Sequence, residues 1–507
     1  MAPSLILRLH AADPVGIALV DLPVGTVIAP GIVARDAIPR GHKVALAAVE
    51  SGAPVTKFGT FIGVAAQPIA PGDHVHSHNL AFRPSPPTRD VRLARRNART
   101  PEAPIGATFQ GYRRDDGRIG TRNVLLVLAT VNCSATVAKR IAEQFRREVD
   151  LSATPTIDGV VALTHQHGCS FRADGPGMAI LRRTLGGYAR HPNVAGTLVV
   201  GLGCEDNQVD EFLAAAGLTA SDRLTTRVIQ QEGGTAATVA AGVDALKAML
   251  PRAAAAVRTT VPASHLVVGL QCGGSDGFSA ISANPALGLA ADRLVAEGGT
   301  VILSETPEIY GAEQLLLERA ATEQVADRLR SLLVWWDTNA RRDDGTLDNN
   351  PSPGNKQGGI TTILEKSLGA VSKGGSSPLN AVYDYAEPIT DPGLVFMDSP
   401  GYDPVAATGQ VASGANLICF TTGRGSCFGC APVPSLKIAT TSGLFRRMAG
   451  DMDLDAGPIL DGTMRHDAVG EAIFARMLAT ASGARTVSES LGYGEEEFIP
   501  WAQGLIY

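Results

Sequence analysis

Apolar and polar residues alternate at a period of two from residue 4 to about residue 82, the spacing of strands with one buried face. Turn signals cut the alternation at Pro23-Val24-Gly25, Pro39-Arg40-Gly41 and Pro71-Gly72-Asp73. Residues 1–82 are therefore expected to form a small all-β module. Residues 83–107 are rich in Pro and Arg and show no apolar period, which reads as an exposed linker. From 108 to 337 unbroken Val and Leu runs alternate with helical stretches such as Ser134 to Glu148, with Ser134 placed to cap the helix. That alternation predicts an α/β domain whose mostly parallel sheet carries helices on both faces. Residues 338–384 contain a second break, TNARRDDGTLDNNPSPGNKQGGITT, long enough to read as an active-site loop and connection. GLVFMDSPG and NLICFTTGRG then read as strands around a short helix, a carboxyl-terminal α/β domain over 385–507. The fold class expected is thus α/β multidomain, a β module followed by two α/β units.

Four of these strands end alike, in LLVLATVNC at Cys133, VVALTHQHGC at Cys169, TLVVGLGC at Cys204 and HLVVGLQC at Cys272. Carboxyl ends of parallel strands open onto one crevice, so four thiols there point towards one site. Thiolates favour iron, iron-sulfur clusters or zinc, and a buried small hydrophobe is the plain alternative. Asn132, His165 and His167 flank the first two thiols. HVHSHN places His74, His76 and His78 at strand alternation, with their imidazoles on one face, a second candidate metal site. RGHKVAL adds His42 and Lys43, able to bind or polarise a carboxylate. QCGGSDGFSAISANP sets Ser275 and Asp276 in a strand-to-helix turn whose amides can hold an anion. SETPEIYGAE supplies Glu305, Glu308 and Glu313 as carboxylates for a metal or a base. Asn355 and Lys356 sit in a glycine-rich loop, and TTGRGSCFGCAPVPSLK offers Arg424 and Lys437, cations suited to enclosing a carboxylate substrate. Cys427 and Cys430 form a lone CxxC, open to redox, zinc or packing.

Composition narrows the classes. With 45% apolar and 19% charged residues the chain is globular, and its net charge of −6 with 5% aromatics offers no platform for nucleic acid. No window approaches the apolar length of a membrane span, and no export signal opens the chain. Seven cysteines, an odd number, fit reduced thiols in the cytoplasm.

GHKVAL, GDHVHSHN, GLGCEDNQ, QCGGSDGFSAISANP, NPSPGNKQGGITT and TGRGS followed by PSLKIAT, in that order, resemble the altronate and galactarate dehydratase family, the UxaA group of sugar-acid dehydratases. The likeness runs to about residue 445 and is nearer the altronate branch, departing at SCFGCAP, residues 426–432. It implies an amino-terminal SAF module of β-clip type joined to a catalytic part. It also implies loss of water from a sugar acid to give a 2-keto-3-deoxy acid, with Fe(II) or Mn(II) as cofactor. Two arrangements fit: a mononuclear metal on His74, His76 and a carboxylate such as Glu305, or an iron-sulfur cluster on three strand-end cysteines. His42, Lys43, His167, Glu305 and Lys356 are the catalytic candidates, and Ser275, Asp276, Asn355, Arg424 and Lys437 the substrate-binding ones. The protein is expected to be a cytoplasmic homo-oligomer, a dimer, acting on a small sugar acid. A lyase expelling sulfite from sulfolactate and a non-catalytic carbohydrate-binding protein are the competing expectations.

Overall fold

The computed structural model describes residues 4–83, 103–342 and 344–503, so most of the expected linker lies outside the described residues. The amino-terminal module is all-β, as its alternation predicts. Its strands are β1 (Ile6–Leu7), β2 (Val15–Ala18), β3 (Val27–Ala29), β4 (Ile32–Val33), β5 (Lys43–Ala45), β6 (Pro54–Lys57), β7 (Thr60–Ala65), β8 (His74–Val75) and β9 (Leu80–Ala81). They form antiparallel sheets ordered β1-β2-β5-β8 and β6-β7-β9, with β3 and β4 as a ribbon. Val15, Ala45, Val55, Ile62, Val75 and Leu80 close the core between them. Gly25, Gly41 and Gly72 take positive φ at the expected turns, a conformation only glycine adopts freely.

Strands β10 (Thr108–Arg113) and β11 (Ile119–Gly120) lead into β12 (Val124–Ala129), β13 (Gly159–Leu163), β14 (Val194–Gly201) and β15 (Leu224–Val228). The last four form a parallel sheet in the order β13-β12-β14-β15. Every residue of β12 is buried, because both faces are covered. Leu125 and Val127 pack on the helices Ala135–Glu148 and Thr235–Ala254, while Leu126 and Leu128 face the rest of the molecule. Ser134 stands at the first helix's N-cap position but makes no capping bond. Its hydroxyl lies 2.7 Å from the Val200 carbonyl, tying the loop to β14 instead.

Strand β16 (Arg258–Pro262) returns to pair with β10, and a second parallel sheet follows. It is built from β17 (Val267–Cys272), β18 (Thr300–Leu303), β19 (Leu379–Tyr383), β20 (Gly393–Met397), β21 (Leu417–Thr422), β22 (Ser435–Ala439) and β23 (Leu454–Asp455), in the order β19-β20-β18-β17-β21-β22-β23. This sheet takes strands from both of the α/β units expected from the sequence. The division at residues 337 and 385 is therefore not where the sheets divide; that falls between β15 and β17. Hydrophobic period cannot show which sheet a strand joins, and the polar break at 338–362 misled on this point. Its described residues carry the end of the helix Glu323–Arg342 and a short helix Pro353–Gln357, and the helix Ile363–Ser372 follows directly. One continuous core holds the two sheets together. Leu128 and Met178 from the first unit meet Val395, Val405 and Phe420 from the second.

Candidate active site at the switch point

Order along the seven-stranded sheet reverses between β17 and β21: the chain goes from β17 to β18 and β20 on one side, then returns to β21, β22 and β23 on the other. Loops leaving the carboxyl ends of two such strands diverge and open a crevice, the usual ligand position in a doubly wound sheet. The loop after β17 carries Ser275 and Asp276, and the loop after β21 carries Arg424, whose backbone N–H donates to Gly274 at 2.9 Å. The β module closes over this crevice. The amide of Gly277 donates to the Gly358 carbonyl at 2.7 Å. Gly359, at φ +99°, lies so close to the Gly41 carbonyl that a Cβ would stand 2.3 Å from it.

Four imidazoles gather at the seam. Strand β5 pairs with β8, which brings His42 beside His74, at 2.9 Å between Nδ1 and Nε2. His42 is 5.1 Å from His76 between ring centres, and His74 is 5.6 Å from His78. The histidine run was expected to be a strand with alternating faces. In fact β8 ends at Val75 and the run curls into a turn held by Asn79, whose Oδ1 accepts from the His76 amide. His42 Nε2–H donates to the Gln357 carbonyl at 3.0 Å and His76 Nε2–H to the Lys356 carbonyl at 2.8 Å. Burial lowers the pKa of His42, and burial with neighbouring positive groups brings His74 and His76 to about 4. At neutral pH His42, His74 and His76 are therefore uncharged.

Beneath the imidazoles lies a buried ionic knot. Glu365 accepts from Lys43 and Lys57, both at 2.8 Å, and from the Thr361 amide and hydroxyl. Burial alone would raise the Glu365 carboxyl, but the two ammonium groups outweigh it and hold it well below the usual carboxylate range. Burial brings Lys43 down to about 8 despite Glu365. Lys43 therefore faces Glu365 and the Gly359 carbonyl, locking the β module to the helix Ile363–Ser372, and not open space.

A small cavity, with room for about one water, connects this knot to Cys272, Ser275, Asp276, Asn284, Glu308 and Lys366. Cys272 Sγ and Ser275 Oγ are 2.9 Å apart. Asp276 is raised by burial, and its carboxylate accepts from the Phe278 amide and the Ser279 hydroxyl, so it shapes the turn. Asn355 donates to the Ser275 carbonyl at 2.9 Å, fixing the short helix against that turn. Arg424 is exposed at the rim, its guanidinium 3.4 Å from Gln357 Oε1. Lys356 is half-buried on the same helix.

Behind the cavity, at the ends of β18 and β20, Glu305, Glu308 and Asp403 meet Lys366 and Lys373. Glu308 pairs with Lys366 at 2.6 Å, and Lys373 lies 3.6 Å from Glu305. Glu305 holds a left-handed φ of 71°, rare outside glycine. Burial and the nearby Glu308 carboxylate push it well above the usual range, towards the neutral acid.

The remaining candidates lie elsewhere. Cys133, Cys169 and Cys204 follow β12, β13 and β14 and are exposed on the four-stranded sheet; only Cys272 follows the seven-stranded one, so four thiols do not share one crevice. His167 accompanies the three, its ring 5.3 Å from Phe171. Lys437, expected in a loop, lies inside β22 and donates to the Tyr493 hydroxyl at 2.6 Å. Cys430 is buried, and burial pushes its thiol up to about 12; Cys427 is exposed. Sequence reasoning missed Lys57, Glu365, Lys366, Lys373 and Asp403. A Glu-Lys pair inside the apolar stretch GITTILEKSLGAV was the available signal.

Fe(II) or Mn(II), which the family likeness implies, can be tested against these donors. His42 and His76 each give one ring nitrogen to a backbone carbonyl, the outer contact that orients an imidazole towards a divalent transition metal. Among the described residues no three His, Cys, Asp or Glu side chains already stand together as one ion's ligands. His42 and His74 hydrogen-bond each other at 2.9 Å.

Three family signatures tile the chain: the altronate/galactarate dehydratase SAF domain over residues 4–83, the D-galactarate dehydratase/altronate hydrolase second domain over 111–254, and the D-galactarate/altronate dehydratase carboxyl-terminal domain over 263–506. Their borders follow the sheets. Altronate dehydratase of Bacillus subtilis (strain 168) is 37% identical over 94% of this chain and 95% of its own. Altronate dehydratase of Escherichia coli (strain K12) is 36% identical over 96% and 97%. Galactarate dehydratase (L-threo-forming) of the same strain is 36% identical over 96% and 94%. With its β module seated on the switch point of a doubly wound sheet, the chain belongs to the altronate/galactarate dehydratase family.

Proposed function

We propose that this protein removes water from a sugar acid, altronate first and galactarate or a similar aldonate or aldarate second, giving a 2-keto-3-deoxy acid. The observation that carries the reading is the meeting of four imidazoles with Arg424 and the Ser275 turn over the switch point. In the reaction C2, next to the carboxylate, loses a proton. The C3 hydroxyl leaves with a proton as water, and the resulting enol takes a proton at C3 to become the ketone. Arg424 at the rim grips the substrate carboxylate with charge-assisted hydrogen bonds. A neutral imidazole of the set is free to accept the C2 proton, which a charged one is not. Lys43, Lys57 and Glu365 hold the imidazoles in place from below. His42, His74, His76 and His78 are the residues that would hold Fe(II) or Mn(II). When bound, that ion supplies positive charge against the carboxylate and the departing oxygen.

The same reading makes the protein a cytoplasmic homodimer. Free cysteines support a reducing compartment, and light scattering of the purified chain tests the dimer. Among the described residues no helix is long and apolar enough to cross a membrane. The decisive experiment is anaerobic incubation of the purified protein, with Fe(II) or Mn(II), against a panel of aldonates and aldarates. A 2-keto-3-deoxy product from at least one acid is expected; none from any would end the reading, and sulfite release from sulfolactate would move it to the sulfo-lyase alternative.

A further inference from the structure

Strands β12, β13 and β14 are neighbours, parallel and in register, with Leu128 beside Leu163 and Ala129 beside Val200. Cys133 lies four residues beyond Ala129, Cys204 four beyond Val200 and Cys169 six beyond Leu163. All three thiols therefore leave the same edge of one sheet. Their loops are stitched together next to the cysteines themselves. The Asn132 amide donates to the His167 carbonyl at 3.0 Å, and the Asn207 amide donates to the Gly168 carbonyl at 3.0 Å. Asn207 Nδ2 also reaches the Thr130 carbonyl at 3.1 Å.

The backbone at this edge is held tightly. Ser170, directly after Cys169, has a φ of +57°, and Gly168 lies so close to Thr130 that a Cβ would stand 2.4 Å from its carbonyl oxygen. Left-handed φ at a non-glycine residue is strain of the kind that accumulates at functional sites. His167 Nδ1 is buried among these loops with no hydrogen-bond partner. The three thiols are free and exposed, unlike Cys272, Cys419 and Cys430, which are buried.

We propose that the loops after β12, β13 and β14 form an iron-sulfur cluster site, with Cys133, Cys169 and Cys204 as thiolate ligands and His167 beside them. Thiolates are the usual ligands of iron-sulfur clusters, and here three separate loops each bring one to the same edge of the sheet. Three thiolates are one fewer than a four-iron cluster takes, so one iron of such a cluster would be left without a cysteine. This site is separate from the imidazole seam and stands whether or not the sugar-acid reading does.

The test needs no substrate. Protein reconstituted anaerobically with a mixture of ferric and ferrous iron and with sulfide is assayed for iron, acid-labile sulfide and visible absorbance, then alkylated with iodoacetamide and mapped by mass spectrometry. The expected result is iron and sulfide in equal amounts, about four of each per chain, a brown chromophore, and protection of Cys133, Cys169 and Cys204 while Cys427 reacts fully. Cys133→Ser, Cys169→Ser and Cys204→Ser should each lose at least half of the sulfide, and Cys427→Ser none. Sulfide near zero in the reconstituted wild type, zinc bound without sulfide, or alkylation of the three thiols undiminished by reconstitution would each overturn the proposal. The alkylation map uses the wild-type chain, so it decides even if a serine variant does not fold.

Discussion

Glu365 shows how a single buried residue sets the site. It satisfies two ammonium groups, each almost fully out of water, and a threonine's amide and hydroxyl. Removing one partner of a buried ion pair leaves an uncompensated charge, which costs about 3–5 kcal/mol. Glu365→Gln should therefore lower unfolding stability by roughly that amount in urea titrations, and a loss under about 1 kcal/mol would mean the lysines have another way to be satisfied. Arg424 works oppositely: it is exposed and braces little. Arg424→Ala should leave stability unchanged and raise KM for the acid substrate about 10- to 100-fold, the worth of a charge-assisted hydrogen bond. An unchanged KM would remove Arg424 from carboxylate binding. At this scale the sequence pointed to His42, the histidine run, Arg424 and the Ser275 turn, which the fold brings to one crevice. It could not assign Lys43, because a lysine aimed at a substrate and one buried against a distant glutamate look alike until the fold brings residues 43 and 365 together.

Elements place these residues, and the short glycine segments joining them carry the tightest constraint. Gly41, Gly277, Gly358 and Gly359 let three backbones touch where the β module meets the seven-stranded sheet. A side chain at 359 must both adopt φ +99° and displace the Gly41 carbonyl. Gly359→Ala should push the module off the crevice, cutting kcat/KM at least tenfold while β-module and sheet cores persist. Circular dichroism at wild-type strength with lost turnover is the expected pair of readings, and full turnover would show that the contact can relax. Strand and helix positions were largely legible here, since GLVFM and LICFTT are buried on both faces of a parallel sheet and read as unbroken apolar runs. Sheet membership was not. Cys204, just beyond β14, and Cys272, the last residue of β17, close the same local pattern, VVGLGC and VVGLQC, yet belong to different sheets. What separates them is the return of β16 to pair with β10, a long-range event that leaves no periodic trace.

On the scale of the molecule, the seam between the two α/β units holds a buried group that must stay uncharged. His191, fully buried, accepts the Asn193 amide on Nδ1, so its Nε2 carries the proton and donates to the Ala415 carbonyl just before β21. His165 repeats the pattern, with the His167 amide on Nδ1 and the Ala129 carbonyl on Nε2. Burial brings His191 down to about 3 and His165 to about 4. An unfolded histidine titrates near 6.5, so below that pH the unfolded chain binds more protons than the folded one. Stability is then flat above about pH 6.5 and falls with acidification by up to about 1.4 kcal/mol per pH unit for each such ring. Because both folded pKa values are depressed, the loss continues down to about pH 4 for His165 and about pH 3 for His191. Comparing wild type with His191→Gln isolates one ring, since a glutamine keeps one donor and one acceptor without a titration. Urea unfolding at pH 7.5, 6.5, 5.5 and 4.5 should show the variant weaker at pH 7.5 but with a slope shallower by about one proton below pH 6. Parallel slopes for the two proteins would mean that His191 can take up a proton in the folded state, and the seam between the units would then have to open locally in acid.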